Sequence, residues 1–289
     1  MPFIEANGVR IRYRLEGKPG APVIVFSNSL GTNLSMWDPQ VAALRDEFRI
    51  LRYDTRGHGL SAVPPGPYSQ EQLGNDILTL LDAVEIRRAH FCGLSMGGQA
   101  GIWLGVNAPD RFARLVLCDT AAHIGNPEIW NARIAAIRAG GMPAIVSGAI
   151  ERWFTPRFIA QSPEIVAWVR RMILDTPPQG YIACCEAIRD ADLTVQASRV
   201  LAPTLVISGT HDPATPPAQG RSLASMIRGA SELRLSCRSF AEAVSWGQAA
   251  HRLPVSKNLR TEPAGRLLHA NSQQSNNPAA SAASSRWFA

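Results

Sequence analysis

The segment His90-Phe-Cys-Gly93-Leu-Ser95-Met-Gly97-Gly98 constrains this chain more than any other. It sets a G-x-S-x-G pattern directly after a short apolar run and directly before a stretch with helical patterning. A serine placed so sits on a tight strand-to-helix turn, where the flanking glycines let neighbouring backbone pass closely. Its hydroxyl is presented at the carboxyl edge of a sheet, and the helix N-terminus behind it favours a developing negative charge. The pattern points to Ser95 as a nucleophile.

A hydroxyl needs a base to become nucleophilic, and the base needs an orienting acid. For a serine on such a turn the order along the chain is serine, acid, histidine. The run Leu205-Val-Ile-Ser-Gly-Thr-His211 ends a buried strand and places Asp212 at its carboxyl end, so Asp212 is the candidate acid. The tetrahedral oxyanion also needs donors. The N–H of Met96, which follows the nucleophile, is one. The other is expected from the early loop Ser27-Asn-Ser-Leu30-Gly31, with Leu30 N–H the candidate. His58, in Asp54-Thr-Arg56-Gly57-His58-Gly59, precedes the nucleophile and is read as a loop residue that holds the site's shape, not as the base.

The surroundings set the fold class. Ile4, Val9, Ile11 and Tyr13 alternate with polar residues around Asn7-Gly8, which reads as a two-stranded antiparallel start. Short continuous apolar runs follow at Pro22–Ser27, Phe48–Tyr53, His90–Cys92, Leu115–Cys118 and Thr204–Ser208, as suits strands buried on both faces. Helical patterns lie between them at Gln40–Asp46, Gln70–Val84 and Gly97–Asn107. The expectation is an α/β fold with a mostly parallel central sheet and helices on both faces. After Asp119 the rhythm breaks. Residues 123–192 are helical in pattern and rich in aromatics, and are read as a cap inserted above a core made of 1–122 and 193–232. Residues 233–268 are atypical, and the polar, low-complexity stretch 269–289 is expected to be disordered. No internal repeat is visible.

Composition excludes several partners. The formal charge is +6, but seven Lys/Arg and two Asp/Glu from Leu233 onward account for most of it, leaving about +1 on the preceding 232 residues. Without a basic stripe interleaved with aromatics in the body, no nucleic-acid partner is expected. No apolar stretch approaches a membrane span, so no membrane partner is expected. The N-terminus lacks the charged start and apolar run of a signal peptide. The five cysteines have no metal-ligand spacing, so no metal site is expected; reduced thiols in a cytoplasmic protein are the simplest reading.

Taken together, FSNSLGTNLSMWDPQ, RYDTRGHGLS, FCGLSMGG and VISGTHDPATPP resemble the 3-oxoadipate enol-lactonases, members of the α/β-hydrolase superfamily. NPEIWNARIAAIRAGGM, ERWFTPRF and GYIACCEAIRDADL are similar to the cap of that family, and the resemblance runs over about residues 1–232. It implies an α/β-hydrolase fold and a cofactor-free hydrolase acting on a small lactone or ester, with 3-oxoadipate enol-lactone opened through an acyl-Ser95 intermediate. That substrate carries a free carboxylate, for which Arg133 is the candidate cation; Trp130 and Trp153 are further candidate contacts. Ser95 excludes the carboxylate-nucleophile dehalogenases and epoxide hydrolases of this fold. Small-ester esterases, perhydrolases and C–C hydrolases share the serine and stay open.

One part of the pattern is missing. The family's histidine falls in an Ala-Ala-His stretch that, counted from Asp212, lands near Ser239 in Leu235-Ser-Cys237-Arg238-Ser239-Phe240, and no histidine stands there. Cys-Arg-Ser-Phe can be encoded so that dropping one base yields Ala-Ala-His. A reading-frame shift between about Gly229 and Cys237 is therefore expected to explain both the missing residue and the basic, polar sequence after it. His251 is the nearest substitute base. The alternative function is a catalytically impaired product that lacks the histidine, with the final strand pairing and helix of the core lost as well.

Overall fold

A hairpin turning at Asn7-Gly8 opens the computed structural model, whose described residues are 2–239 and 242, together with the backbone of 269 and 270. Strand β1 (Phe3–Ala6) pairs antiparallel with β2 (Val9–Gly17), and Ala6 faces Val9 across the turn. Strand β3 (Val23–Ser27), helix α1 (Asp38–Leu44) and strand β4 (Arg49–Tyr53) follow. Helix α2 (Gln70–Ala83) starts with a capping box in which Ser69 and Gln72 satisfy each other's backbone N–H. Next come β5 (Ala89–Leu94), α3 (Met96–Asn107) and β6 (Phe112–Cys118).

Six helices stand between β6 and the next strand: α4 (Pro127–Gly140), α5 (Pro143–Trp153), α6 (Pro156–Gln161), α7 (Pro163–Leu174), α8 (Pro178–Arg189) and α9 (Thr194–Ala197). Five of them begin on a proline, which lacks the N–H that a first helical turn leaves unpaired. Strand β7 (Thr204–Gly209), helix α10 (Pro217–Met226) and strand β8 (Ser231–Leu235) return the chain to the sheet. The backbone of His269 and Ala270 adds a two-residue strand, β9, parallel to β8.

The sheet order is β1-β2-β4-β3-β5-β6-β7-β8-β9, parallel throughout from β4 onward. Alternate residues feed opposite faces. Val25, Phe91, Leu115, Leu117 and Val206 join the core shared with α2, α3 and the inserted helices. Ile24, Phe26, Cys92, Leu94, Val116, Cys118 and Ile207 line the other face with Trp37. Both faces are buried, which explains the continuous apolar runs.

One expectation is corrected here. The final strand pairing is kept: β8 pairs in parallel with β7 from Leu205–Ser231 to Gly209–Leu235, and Leu233 and Leu235 are buried in the second core. The strand is intact through Leu235, inside the span where the frame shift is expected. His251, and the tail expected to be disordered apart from the backbone of 269–270, lie outside the described residues.

The register also positions the site. Ser27 is level with Gly93, Leu94 with Cys118, and Cys118 with Ile207. The loops that leave β3, β5, β6 and β7 therefore emerge side by side at the carboxyl edge, where open α/β sheets place ligands.

Candidate active site

Ser95 follows β5 and caps α3 with φ 54 and ψ −111, a conformation that non-glycine residues rarely adopt. Its backbone is held on both sides. The Ser95 N–H donates to Cys118 O at 2.9 Å, and its carbonyl accepts from the Thr120 hydroxyl at 2.8 Å. A Cβ on Gly93 would lie 2.2 Å from Gly97 O, and one on Gly97 would lie 2.4 Å from Ser27 O. The turn is that tight because the strand end, the helix start and the β3 loop cross there, so no residue larger than glycine fits at either position.

Both proposed oxyanion donors stand open. Among the described residues, no hydrogen bond occupies the N–H of Met96 or of Leu30. The next amide, Gly31 N–H, is taken by Nε2 of His58 at 2.9 Å. His58 is wholly buried, and burial pushes its imidazole down to about 4.

Asp212 lies in the turn after β7, 6 % exposed. One carboxylate oxygen accepts from Ala214 N–H at 2.7 Å and Thr215 N–H at 3.2 Å, and the other accepts from the Thr215 hydroxyl at 2.6 Å. Burial raises its carboxyl, and these bonds oppose the rise.

Ser95 and Asp212 line one cleft, of about 720 Å³ with its open mouth included. That is the size of a small-ligand site. Its walls include Met36, Trp153, Trp168 and Met172, and also the polar residues Asp119 and Ser239. Trp168 and Met172, on α7, were not singled out from sequence, because their helical spacing marks a buried face without saying what it faces. Asp119 was missed too. It follows β6 with φ 39, and its carboxylate accepts Gly209 N–H at 2.8 Å, tying the ends of β6 and β7 together. An acidic residue directly after a buried strand was the available signal.

Of the three cap candidates, only Trp153 reaches the cleft. Trp130 is buried in the cap, its indole N–H donating to Ile124 O at 2.7 Å, and the Arg133 guanidinium lies 4.5 Å from its ring centre. Neither lines the cleft. Arg133 shares its surroundings with Arg152 of α5, whose pKa is lowered first by burial and next by Arg133.

The position counted for the missing histidine does fall in the cleft, and Ser239 occupies it. Its hydroxyl donates to Trp153 O at 2.8 Å. Arg238 donates from its guanidinium to the carbonyls of Glu151 and Phe154, and Glu242 accepts from Thr155. Among the described residues no histidine lines the cleft, and no group of His, Cys, Asp and Glu has the makings of a metal site. No described helix is long and apolar enough to cross a membrane.

Comparison with known proteins agrees with this geometry. A profile described as alpha/beta hydrolase fold matches residues 22–170. The chain is 45 % identical over 224 residues to 3-oxoadipate enol-lactonase 2 of Acinetobacter baylyi, covering 78 % of this chain and 84 % of that protein. With 3-oxoadipate enol-lactonase 1 of the same organism it shares 40 % over 222 residues, 77 % of this chain and 83 % of the other. The crystal structure of the enol-lactonase from Burkholderia xenovorans LB400 superposes with a TM-score of 0.83 at 48 % identity, over 86 % of this chain and 96 % of that one. On these similarities the chain belongs to the α/β-hydrolase fold family, in the branch of the 3-oxoadipate enol-lactonases.

Proposed function

We propose that this chain hydrolyses a small lactone, 3-oxoadipate enol-lactone, through an acyl-Ser95 intermediate. The observation that carries the reading is the cleft that Ser95 shares with Asp212, on a chain 45 % identical to an enol-lactonase. Ser95 Oγ attacks the lactone carbonyl and releases its hydroxyl proton, which ends on the departing enolate. The N–H groups of Leu30 and Met96 hold the resulting oxyanion, and the helix start behind Ser95 adds to the field. The ring C–O bond then breaks, and the departing enolate takes a proton and becomes the ketone. Water attacks the acyl-Ser95 ester, releasing the second carboxylate and restoring the serine. Hydrolysis needs water and no cofactor. The walls of Trp153, Trp168 and Met172 suit the apolar face of the ring. Arg133, the cation expected for the free carboxylate, lies outside this cleft and is not assigned that role. Cys92, Cys118, Cys184 and Cys185 are buried thiols outside any disulfide, which suits the reducing cytoplasm.

One observation favours a second reading: Ser239 stands where the base is expected, and a serine hydroxyl cannot take up the Ser95 proton near neutral pH. On that reading the chain binds the lactone and turns it over slowly. Removing one member of a triad leaves only what binding and the oxyanion donors supply, a loss of several orders of magnitude.

Hydrolysis of the enol-lactone and of a small activated ester by the purified chain, beside Ser95→Ala and His251→Ala, separates the two. Turnover abolished by both substitutions makes His251 the base. Fast turnover abolished by Ser95→Ala alone assigns another base, whereas slow turnover so abolished supports the impaired reading. A parent as inactive as Ser95→Ala overturns both.

A further inference from the structure

The loop after β3 offers two consecutive backbone donors, Leu30 N–H and Gly31 N–H, and the fold has spent one of them. Gly31 N–H donates to Nε2 of His58 at 2.9 Å. A ring nitrogen that accepts carries no proton, so the proton resides on Nδ1, which faces Arg56 O at 3.3 Å. The ring is sealed in: Cys184 Sγ lies 4.0 Å from Nδ1, and the Tyr181 ring is tilted against it at 6.4 Å between centres. Tyr181 also closes on the loop itself, because a Cβ on Gly31, at φ 77, would lie 2.8 Å from its ring. Gly31 is thus held between an acceptor and the edge of an aromatic ring. Leu30 N–H is left without a partner among the described residues.

We propose that His58 is a positioning residue: by engaging Gly31 N–H it fixes the Leu30–Gly31 peptide, so that Leu30 N–H alone is presented to the cleft. The proposal rests on reading Leu30 as an oxyanion donor and goes beyond it by saying what aims that donor. A side chain lacking an acceptor would leave a buried N–H unpaired, and the peptide would turn to find one. Leu30 N–H, on the adjoining peptide, would lose the neighbour that anchors it. His58 acts through Gly31 and touches no substrate.

The test compares His58→Phe, which keeps an aromatic ring and loses the acceptor, with His58→Gln, whose side-chain carbonyl can accept the same N–H. Two readouts are taken on the full chain: residue-resolved amide exchange at Gly31, and kcat and KM for a small activated ester. The expected result for His58→Phe is Gly31 exchange at least about tenfold faster, and a kcat about 100-fold lower with KM within about twofold. His58→Gln is expected to recover most of both. Unchanged Gly31 exchange in His58→Phe overturns the proposal. So does a loss confined to KM, or a His58→Gln variant as slow as His58→Phe. A parent that hydrolyses no ester sinks the proposed function, and Gly31 exchange in the two variants then decides the role of His58. Should His58→Phe fail to fold, nitrogen-15 spectra of the parent's histidines decide: a bare Nε2 and a protonated Nδ1 on His58 support the proposal, and the opposite tautomer overturns it.

Discussion

Glu242 grips Thr155 with both carboxylate oxygens: Oε1 accepts the Thr155 hydroxyl at 2.6 Å, and Oε2 accepts its backbone N–H at 3.0 Å. Thr155 is also the N-cap of α6, where its side-chain oxygen accepts from Phe158 N–H at 3.2 Å. The chain beyond β8 is thereby fastened to the junction of α5 and α6, next to the tryptophan that walls the cleft. The sequence gives no hint of this, because Glu242 sits in a stretch unlike the family.

Releasing that grip should loosen the cap. Charge-assisted hydrogen bonds contribute about 1.5–3 kcal/mol, so Glu242→Ala is expected to lower Tm by about 3–6 °C. Scanning calorimetry reads the shift, and proteolysis should cut faster between α5 and α6. A Tm equal to the parent's would show that the contact holds nothing.

The strain at Ser95 predicts opposite outcomes for activity and stability. Its hydroxyl has no hydrogen-bond partner among the described residues, while its backbone sits at φ 54. Ser95→Gly is therefore expected to abolish ester hydrolysis and to stabilise the fold by about 1–2 kcal/mol. Ser95→Ala, which keeps the strain, is expected to abolish hydrolysis with a Tm within about 1 °C of the parent. Urea midpoints of the three proteins test this, and a destabilised Ser95→Gly would refute it.

Ser239→His puts an imidazole at the position counted for the base. On the proposed function, with Asp212 as the acid and Leu30 and Met96 N–H as the oxyanion donors, a restored base is worth roughly 10²–10⁴ in rate. The expected outcome is a rise in kcat/KM for the activated ester of at least about 100-fold, abolished again by Asp212→Asn. No rise, in a variant that folds, would mean that the chain around Ser239 holds the ring out of line with Ser95.

His58 makes stability depend on pH. Its folded value of about 4 lies below the ordinary 6.5, so the unfolded chain binds more protons between those limits and stability rises with pH. The contribution is complete above about pH 6.5 and is lost as pH falls through 4. Between pH 7.5 and 5 the parent is expected to lose about 2 kcal/mol more than His58→Gln. Parallel denaturation curves for the two proteins would show that the imidazole is not held neutral.

What the sequence disclosed, and what it withheld, follows from where each signal resides. Val25 and Phe91 lie in strands covered on both faces, so apolar runs announced them. Strand β8 escaped because Glu232 and Arg234, paired to each other at 2.8 Å, alternate with its buried leucines and dilute the run. Ser95 and Asp212 were legible because a strained turn and a strand end carry local signatures. Asp119, Trp168 and Ser239 owe their place to strands and helices distant in sequence. Trp130 and Trp153 look alike on paper, and only the packing of α4 against its neighbours turns one inward to Ile124 O and leaves the other at the cleft. The prolines that open five of the inserted helices were in plain view and would have divided the cap correctly.

Cys118 and Ile207 are neighbours in the sheet although residues 119–203, the whole cap among them, separate their strands along the chain. The entropy of closing such a loop grows only with the logarithm of its length, and each doubling adds about 0.6 kcal/mol. The insertion is therefore almost weightless to the sheet that carries it. An architecture of this kind can carry a longer, shorter or different insertion between β6 and β7 above the same serine turn.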